Sequence, residues 1–255
     1  MTVLQRLVQY QQANLDAPLY YRIRNVPWVL DIVSNGRADL RPWNRRGPVP
    51  VMRRSGTRPM PFLAVDTAEY ILGVGGHTER TKAFWDQMFA WAVSPNTHPA
   101  VAALLLLVHD AEVHGSTAPE PRDRIAIRVA GYFLHQLDEA VTEWARIIEA
   151  RKGAGTGMCS VCGQQQRLAA SLPNAIATPV SNTRQQPLLT VPLRAQTDGL
   201  PLCLECGDRA SAAIDQLAND PGHHYGDTYV FSPVPATHTR IGNLLQLLHQ
   251  PAPGT

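Results

Sequence analysis

The segment Met158-Cys159-Ser160-Val161-Cys162-Gly163 has a counterpart further along the chain in Leu202-Cys203-Leu204-Glu205-Cys206-Gly207. These two Cys-x-x-Cys-Gly knuckles contain all four cysteines of the 255-residue chain. Two residues between the thiolates allow a tight turn to present both sulfurs to one ion, and the glycine that follows permits a positive φ. The pattern therefore predicts one structural zinc ion in a closed tetrahedral site, with these ligands: Cys159, Cys162, Cys203 and Cys206.

Two other uses of the four cysteines stay open. Disulfides are typical of secreted domains much shorter than this chain, and no apolar N-terminal signal region is present, which favours a reduced, cytoplasmic protein. A redox pair needs only one Cys-x-x-Cys motif, so the second knuckle would be unexplained. No apolar run is long enough to span a membrane, and we expect no membrane association.

Arginine is concentrated in the N-terminal part of the chain. Residues 1–60 hold ten arginines against three acidic residues, although the net charge of the whole chain is only +2. Seven of these arginines lie in residues 37–61, among prolines and glycines that disfavour regular structure, so we expect a long loop or an irregular hairpin. Guanidinium groups suit phosphates and guanine edges, and the cluster predicts contact with nucleic acid. The alternative is a solvated basic surface.

Hydrophobic periodicity predicts an α+β fold. Residues 28–33 and 123–129 have the composition and alternation of strands, and Asn35-Gly36 is typical of a hairpin turn. Residues 78–93, 134–151 and 207–218 repeat apolar residues at helical spacing. Residues 99–108 and 240–249 are further helix candidates, and residues 191–193 are a short strand candidate. The predicted architecture is mixed small sheets with peripheral helices and an inserted zinc-ribbon-like module with four cysteine ligands. We expect two domains: residues 1–152 form an α+β DNA-recognition domain, and residues 153–255 form the zinc-knuckle region with C-terminal helices, joined by a flexible linker at residues 153–157.

Signatures of catalysis are missing from the sequence. It contains neither a nucleophile elbow nor a His-Glu-x-x-His pair, and no paired carboxylate set stands out. We therefore expect a protein that is not an enzyme. A metal-dependent nuclease is the alternative, and incubation with plasmid and Mg²⁺ or Mn²⁺ would detect it.

Several segments resemble the large subunit of type I-C CRISPR effector complexes, the Csd1 family. Arg54-Ser55-Gly56 followed by Pro61-Phe62-Leu63-Ala64-Val65-Asp66-Thr67-Ala68-Glu69-Tyr70 is similar to the family's Arg-Thr/Ser-Ser-Gly and Phe-Leu-x-Asp-Asn-Ala-Glu-Tyr motifs. Thr67 stands where the family has Asn. Residues 123–131 resemble the family's next strand. The chain is less than half the family's usual length. The resemblance is therefore either to the N-terminal part of the family's large subunit or to a compact large subunit like the shortened zinc-containing one of type IV systems.

The resemblance implies a role in a crRNA-guided complex. The partners implied are crRNA, backbone and crRNA-end-binding subunits, target double-stranded DNA and a recruited helicase or helicase-nuclease. The protein would recognise the PAM and help to open the duplex for R-loop formation, while base pairing reads the remaining sequence. The residues expected to contact DNA are Arg41, Arg45, Arg46, Arg53, Arg54, Ser55, Arg58 and Thr67. A free-standing zinc-ribbon DNA-binding regulator is the alternative function.

Overall fold

The computed structural model shows the predicted α+β fold, with a mixed sheet, peripheral helices and a small hairpin that carries cysteines. The chain divides into two compact units, residues 16–151 and residues 1–15 together with 152–255. None of the described helices is both long and apolar enough to cross a membrane. The structure describes residues 3–14, 16–33, 37–54, 57–95, 97–107, 113–114, 118–174, 177–178, 186–187, 201–219, 224–225 and 228–229.

The unit of residues 16–151 is built on a six-stranded sheet. Its strands are β1 (Tyr21–Ile32), β2 (Ala38–Pro50), β3 (Val65–Thr67), β4 (Val113–His114), β5 (Arg124–Val129) and β6 (Tyr132–Phe133). The strand order is β3-β5-β1-β2-β4, and β6 also pairs with β5. The central strand β1 is antiparallel to β2 and parallel to β5.

The arginine-rich segment is mostly a regular strand. Its residues 38–50 form β2, which pairs with β1 from Ile32↔Ala38 to Tyr21↔Pro50. The long-loop interpretation is therefore wrong for this part, and the hairpin interpretation is confirmed. The register shifts between Val26 and Trp28. Pro27 lies at the shift, where a proline is tolerated because it has no N–H to donate to the ladder. Residues 51–54 and 57–64 have no regular structure.

Several helices of this unit bury apolar residues. They are α2 (Ala68–Ile71), α3 (Thr78–Ala92), α4 (Pro99–Ala102), α5 (Leu104–Leu107), a 3₁₀ turn (Leu134–Gln136) and α6 (Asp138–Lys152). Phe84, Met88 and Trp91 are buried on α3, as expected. Trp144 of α6 is buried, and its indole Nε1 donates to the Tyr20 carbonyl oxygen at 3.1 Å. The helix expected over residues 99–108 is found as two short ones, α4 and α5.

The second unit holds the cysteine knuckles. Its elements are α1 (Val3–Ala13), β7 (Gly153–Met158), β8 (Gln165–Ala169), β9 (Ala177–Thr178), β10 (Gln186–Pro187), α7 (Leu204–Asn219), β11 (His224–Tyr225) and β12 (Thr228–Tyr229). Strand β7 pairs with β8, so the flexible linker predicted at residues 153–157 is wrong. Helix α1 packs against α7 through Leu7 and Val8, which cluster with Ile214 and Leu217. The domain division at residues 152 and 153 stays a prediction.

Several predicted features lie outside the described residues. They are the Asn35-Gly36 turn, the DNA contact at Ser55, a strand at residues 191–193 and a terminal helix at residues 240–249.

Candidate metal centre and arginine surface

The four cysteines form one tight cluster. Their Sγ atoms all lie within 4.8 Å of one another, and all four thiols are free. Four sulfurs around a tetrahedral ion, each at about 2.3 Å from it, are separated by about 3.8 Å. The observed spacing therefore fits one metal ion without a change of fold. In the portion of the chain that the structure describes, no other grouping of three or more potential metal ligands was found.

The first knuckle is the turn of the β7–β8 hairpin. Cys159 follows β7, and its N–H donates to the Gln164 carbonyl oxygen at 2.9 Å. Gly163 has a φ of 70°, and its N–H donates to the Cys159 carbonyl oxygen at 2.9 Å. The Val161 N–H donates to Cys159 Sγ at 3.4 Å. The positive φ predicted after the first cysteine pair is confirmed, and it folds the turn so that Cys162 faces the same point as Cys159.

The second knuckle opens helix α7. Cys203 directly precedes the helix and Cys206 lies in its first turn. The Cys206 N–H donates to Cys203 Sγ at 3.4 Å, and the Cys203 N–H donates to Cys159 Sγ at 3.3 Å. The positive φ predicted for Gly207 is wrong, because Gly207 is helical. A Cβ at this position would lie 2.7 Å from Leu172 Cδ2, so close packing explains the glycine.

The electrostatics of the cluster favour thiolate at one ligand. Hydrogen bonds from the Cys206 thiol and then from its backbone N–H lower the pKa of Cys203 to about 5. The same hydrogen bond to Cys203, together with burial, raises the pKa of Cys206. Cys162 is exposed, whereas the other three thiols are buried. A cation placed among these sulfurs would stabilise the deprotonated form of all four.

Four of the predicted DNA-contacting arginines are exposed and unpartnered. Arg45 and Arg46 lie on β2, and Arg53 and Arg58 lie in the irregular segment that follows it. With respect to the described residues, none of the four makes a hydrogen bond or an ion pair. Arg41 differs, since its Nη2 lies 3.3 Å from Asp31 Oδ2. Unpaired guanidinium groups on a rigid strand leave their charge available to an external anion.

Arg54 makes its contacts within the protein. Its guanidinium lies between the rings of Phe62 and Tyr70, at 4.1 and 4.0 Å from their centroids. Its Nε donates to the Met60 carbonyl oxygen at 3.0 Å, and its Nη2 forms an ion pair with Asp66. The structure thus gives Arg54 a role in holding the irregular segment. The predicted DNA contact of Arg54 stays a prediction.

Asp66 is the buried centre of these contacts. Its carboxylate accepts hydrogen bonds from the Phe62 and Thr67 N–H groups, both at 2.7 Å. Burial raises the pKa of Asp66, and Arg54 and these donors oppose the rise. Thr67 occupies the N-cap position of α2, and its side chain makes no capping hydrogen bond. Its predicted contact with DNA stays a prediction.

One face of the sheet carries further arginines that sequence reasoning missed. Arg124 pairs in register with Thr67, and Arg128 with Asp31, and partners in register project to the same face. Arg128 Nε donates to Asp31 Oδ1 at 2.8 Å, which lowers the pKa of Asp31. Burial lowers the pKa of Arg124, and the nearby positive charge of Arg24 lowers it further. The available signal was the period-two spacing of Arg124 and Arg128, opposite the buried isoleucines of β5.

The comparison with known families covers both units of the chain. None of the curated proteins matches this chain significantly. The family model described as CRISPR-associated protein (Cas_Csd1) matches residues 3–232, which include the cysteine knuckles and the arginine-bearing strands. Because the match extends over most of the sequence, the chain belongs to the Cas_Csd1 family of CRISPR-associated proteins.

Proposed function

We propose that this chain is the large subunit of a crRNA-guided effector complex of type I-C or type IV, which recognises the PAM on double-stranded DNA and helps to open the duplex for R-loop formation. The family match over residues 3–232 is the observation that carries this proposal. Four exposed arginines support it, because they supply charge for a polyanion and have no partner among the described residues: Arg45, Arg46, Arg53 and Arg58. The partners proposed are crRNA, backbone and crRNA-end-binding subunits, target DNA and a recruited helicase or helicase-nuclease.

The arginines of β2 suit contacts to phosphates. Arg45 and Arg46 are neighbours on a strand whose register is fixed by pairing with β1, so the backbone that carries them is held in place and their side chains project to opposite faces. Phosphate contacts orient a protein on a duplex without reading sequence. Loss of either arginine should therefore weaken binding to all target sequences alike, and should reduce the salt dependence of binding by about 0.9 in the log-log slope.

The irregular segment after β2 suits contacts to base edges. Arg53 and Arg58 are exposed, and they flank the point at which Arg54 anchors the segment to Asp66. An anchored segment keeps its exposed side chains in place at little further cost in conformational entropy on binding. If one of these arginines reads a base of the PAM, its removal should cost about 1–3 kcal/mol for the preferred PAM and relax the preference.

For the cysteine cluster we propose one structural zinc ion and no catalytic role. Four soft sulfur ligands leave no open coordination position, which is the usual difference between structural and catalytic zinc. The ligands Cys159 and Cys162 come from the β7–β8 hairpin, and Cys203 and Cys206 from the start of α7. A shared ion would fix the hairpin to the helix. We propose that the protein has no enzymatic activity, so purified protein should leave plasmid uncut with Mg²⁺ or Mn²⁺.

The decisive experiment is binding of a PAM library by the reconstituted complex. Duplexes that share one protospacer and differ in the flanking bases are incubated with the complex assembled with and without this subunit. We expect selective retention of a few flanking sequences only when the subunit is present. Retention of all flanking sequences alike by the complete assembly would refute the proposal.

A parallel gel shift with the isolated chain tests the free-standing regulator. That function predicts tight, sequence-selective binding in the absence of crRNA and other subunits. The large-subunit proposal predicts weak binding by the isolated chain and tight binding in the ribonucleoprotein. As a matched control for charge, Arg122→Ala removes an exposed arginine outside the proposed surface, and Arg46→Ala removes one within it.

A further inference from the structure

We infer that the sheet face at Arg124 is a phosphate-binding site that takes a phosphodiester of a nucleic-acid backbone, separate from the arginines of β2 and its following segment. The inference rests on the proposed function, since it assumes that this unit of the protein meets nucleic acid. The ligand of this site is an anion with two unesterified oxygens, and a planar guanidinium can bind both oxygens through two parallel hydrogen bonds.

Arg124 lies beside Thr67 in the sheet. Arg124 of β5 and Thr67 of β3 are direct partners in an antiparallel ladder, so their side chains project to the same face and lie side by side. In the described sheet order, β3 is at the edge. A ligand that approaches along this edge can therefore reach the Arg124 guanidinium. The Thr67 hydroxyl lies 3.4 Å from Glu69 Oε1 and 3.5 Å from Asp66 Oδ1, so it must turn away from these carboxylates before it can donate to the same ligand.

The Arg124 guanidinium has no acceptor in the part of the chain that the structure describes. It is half-buried, and among the described residues no hydrogen bond or ion pair satisfies its guanidinium. Burial lowers the pKa of Arg124 and the positive charges of Arg24 and Arg54 lower it further, whereas the negative charge of Asp66 opposes them. A partly desolvated guanidinium among like charges is unfavourable unless an anion is bound.

The acidic residues closest to Arg124 in sequence already accept hydrogen bonds from other groups. Asp66 forms its ion pair with Arg54, and Asp123 accepts from the Trp28 indole Nε1 at 3.0 Å. Asp123 also accepts from the Glu120 N–H at 3.0 Å. Of the charged groups that act on the pKa of Arg124, Arg24 and Arg54 are positive and Asp66 is negative, so their balance is positive. A phosphodiester would reduce that balance, and a neutral ligand would not.

The test measures the salt dependence of binding by the full chain. Fluorescein-labelled duplex DNA without a protospacer and a single-stranded RNA of the same length are titrated by anisotropy from about 50 mM salt upward. Arg124→Gln is compared with Arg122→Gln, which removes an exposed arginine two residues earlier. Arg124→Lys keeps the charge but loses the planar fork. Thermal melting of each variant shows whether it is folded.

We expect Arg124→Gln to bind one of the two probes about tenfold more weakly at low salt. Its log-log slope should fall by about 0.9 on duplex DNA or about 0.7 on RNA, and the probe that shows the fall identifies the source of the phosphate. Arg122→Gln should stay within about twofold of the wild type. Arg124→Lys should keep the slope and lose part of the affinity. The comparison of Arg124→Lys with the wild type stays informative if the glutamine variant unfolds.

Equal slopes for Arg124→Gln and Arg122→Gln on both probes would overturn the inference. So would an Arg124→Lys variant that binds as the wild type does, because a bidentate contact cannot survive that exchange. Absence of binding of either probe by the wild-type chain would overturn it too. These probes carry no PAM and need no crRNA. The predicted fall in salt slope can therefore be absent while the complex still selects a PAM. Equally, PAM selection can be absent while the fall in salt slope is observed.

Discussion

Replacement of Arg54 by Met should destabilise residues 16–151, while the same replacement at the adjacent Arg53 should not. Arg54 is partly buried between two rings and paired with Asp66, whereas Arg53 is exposed and makes no hydrogen bond or ion pair with the described residues. Methionine keeps most of the length of the side chain and removes the charge. The two variants therefore differ in the partners that they lose, and each loses one positive charge.

The magnitude follows from what remains around Asp66. Removal of one partner of a buried ion pair costs about 3–5 kcal/mol, because the other charge stays buried and uncompensated. The side chain of Arg54 is 29% exposed and two backbone N–H groups still donate to Asp66, which reduces the loss. Two cation–π contacts add about 0.5–1 kcal/mol each. We expect a net loss of about 3 kcal/mol, or about 6–12 °C in Tm.

The loss should depend on pH in a defined direction. Burial raises the pKa of Asp66, and Arg54 opposes that rise. Without Arg54 the folded-state pKa rises further above the unfolded value of about 3.9. The folded variant then binds a proton more tightly than the unfolded chain, so its stability falls as the pH increases through that interval. Arg54→Met should be furthest from the wild type at neutral pH and closer to it near pH 4.

Urea denaturation at several pH values, followed by tryptophan fluorescence, measures both effects. Arg53→Met should remain within about 0.5 kcal/mol of the wild type at every pH. Equal stability of the two variants at neutral pH would refute the role given to the Arg54–Asp66 pair. A deficit in Arg54→Met that is the same at all pH values would show that the loss is one of packing, without a buried charge.

The remaining predictions concern the metal, the buried histidine and the strand arginines. Metal analysis should give one zinc per chain, and Cys206→Ser should abolish it and increase hydrogen exchange in α7, since structural zinc supplies folding energy directly. Burial lowers the pKa of His135 from 6.5 to about 4, so the unfolded state takes up the proton first and stability should fall as the pH decreases through that range. The fall is at most about 3 kcal/mol, and urea denaturation of His135→Leu should not show it. Arg45→Ala combined with Arg46→Ala should reduce the salt slope of duplex binding by about 1.8, whereas Arg37→Ala, whose guanidinium pairs with Asp39, should reduce it less.

Local patterns in the sequence were enough to predict the grouping of the four cysteines and the buried helix faces. The spacing of Cys159 and Cys162 sets a turn whose geometry depends on few neighbours, and the helical spacing of Phe84, Met88 and Trp91 defines one apolar face. The family motif around Asp66 identified the chain as a Csd1 relative, which the family match confirms.

Long-range pairing explains what the sequence did not reveal. Residues 38–50 contain three prolines and a glycine, which locally disfavour a strand, yet pairing with β1 along almost its whole length stabilises one. The glycine at position 207 is explained by the approach of Leu172, a residue 35 positions earlier in the sequence. Arg124 gains its neighbours from β1 and β3, so its place on an arginine-bearing face could be seen only after the strand order was known.

The internal partners of the arginines separate those that build the protein from those available to bind. Of the seven in residues 37–61, Arg37 and Arg41 pair with aspartates of the hairpin, and Arg54 pairs with Asp66. These three stabilise the strand and anchor the segment that follows it. The other four, Arg45, Arg46, Arg53 and Arg58, have no acceptor among the described residues. A surface that only maintained solubility would not need a paired strand and an anchored segment to carry its arginines, whereas a surface that binds a polyanion gains affinity when the backbone that carries them is fixed before binding.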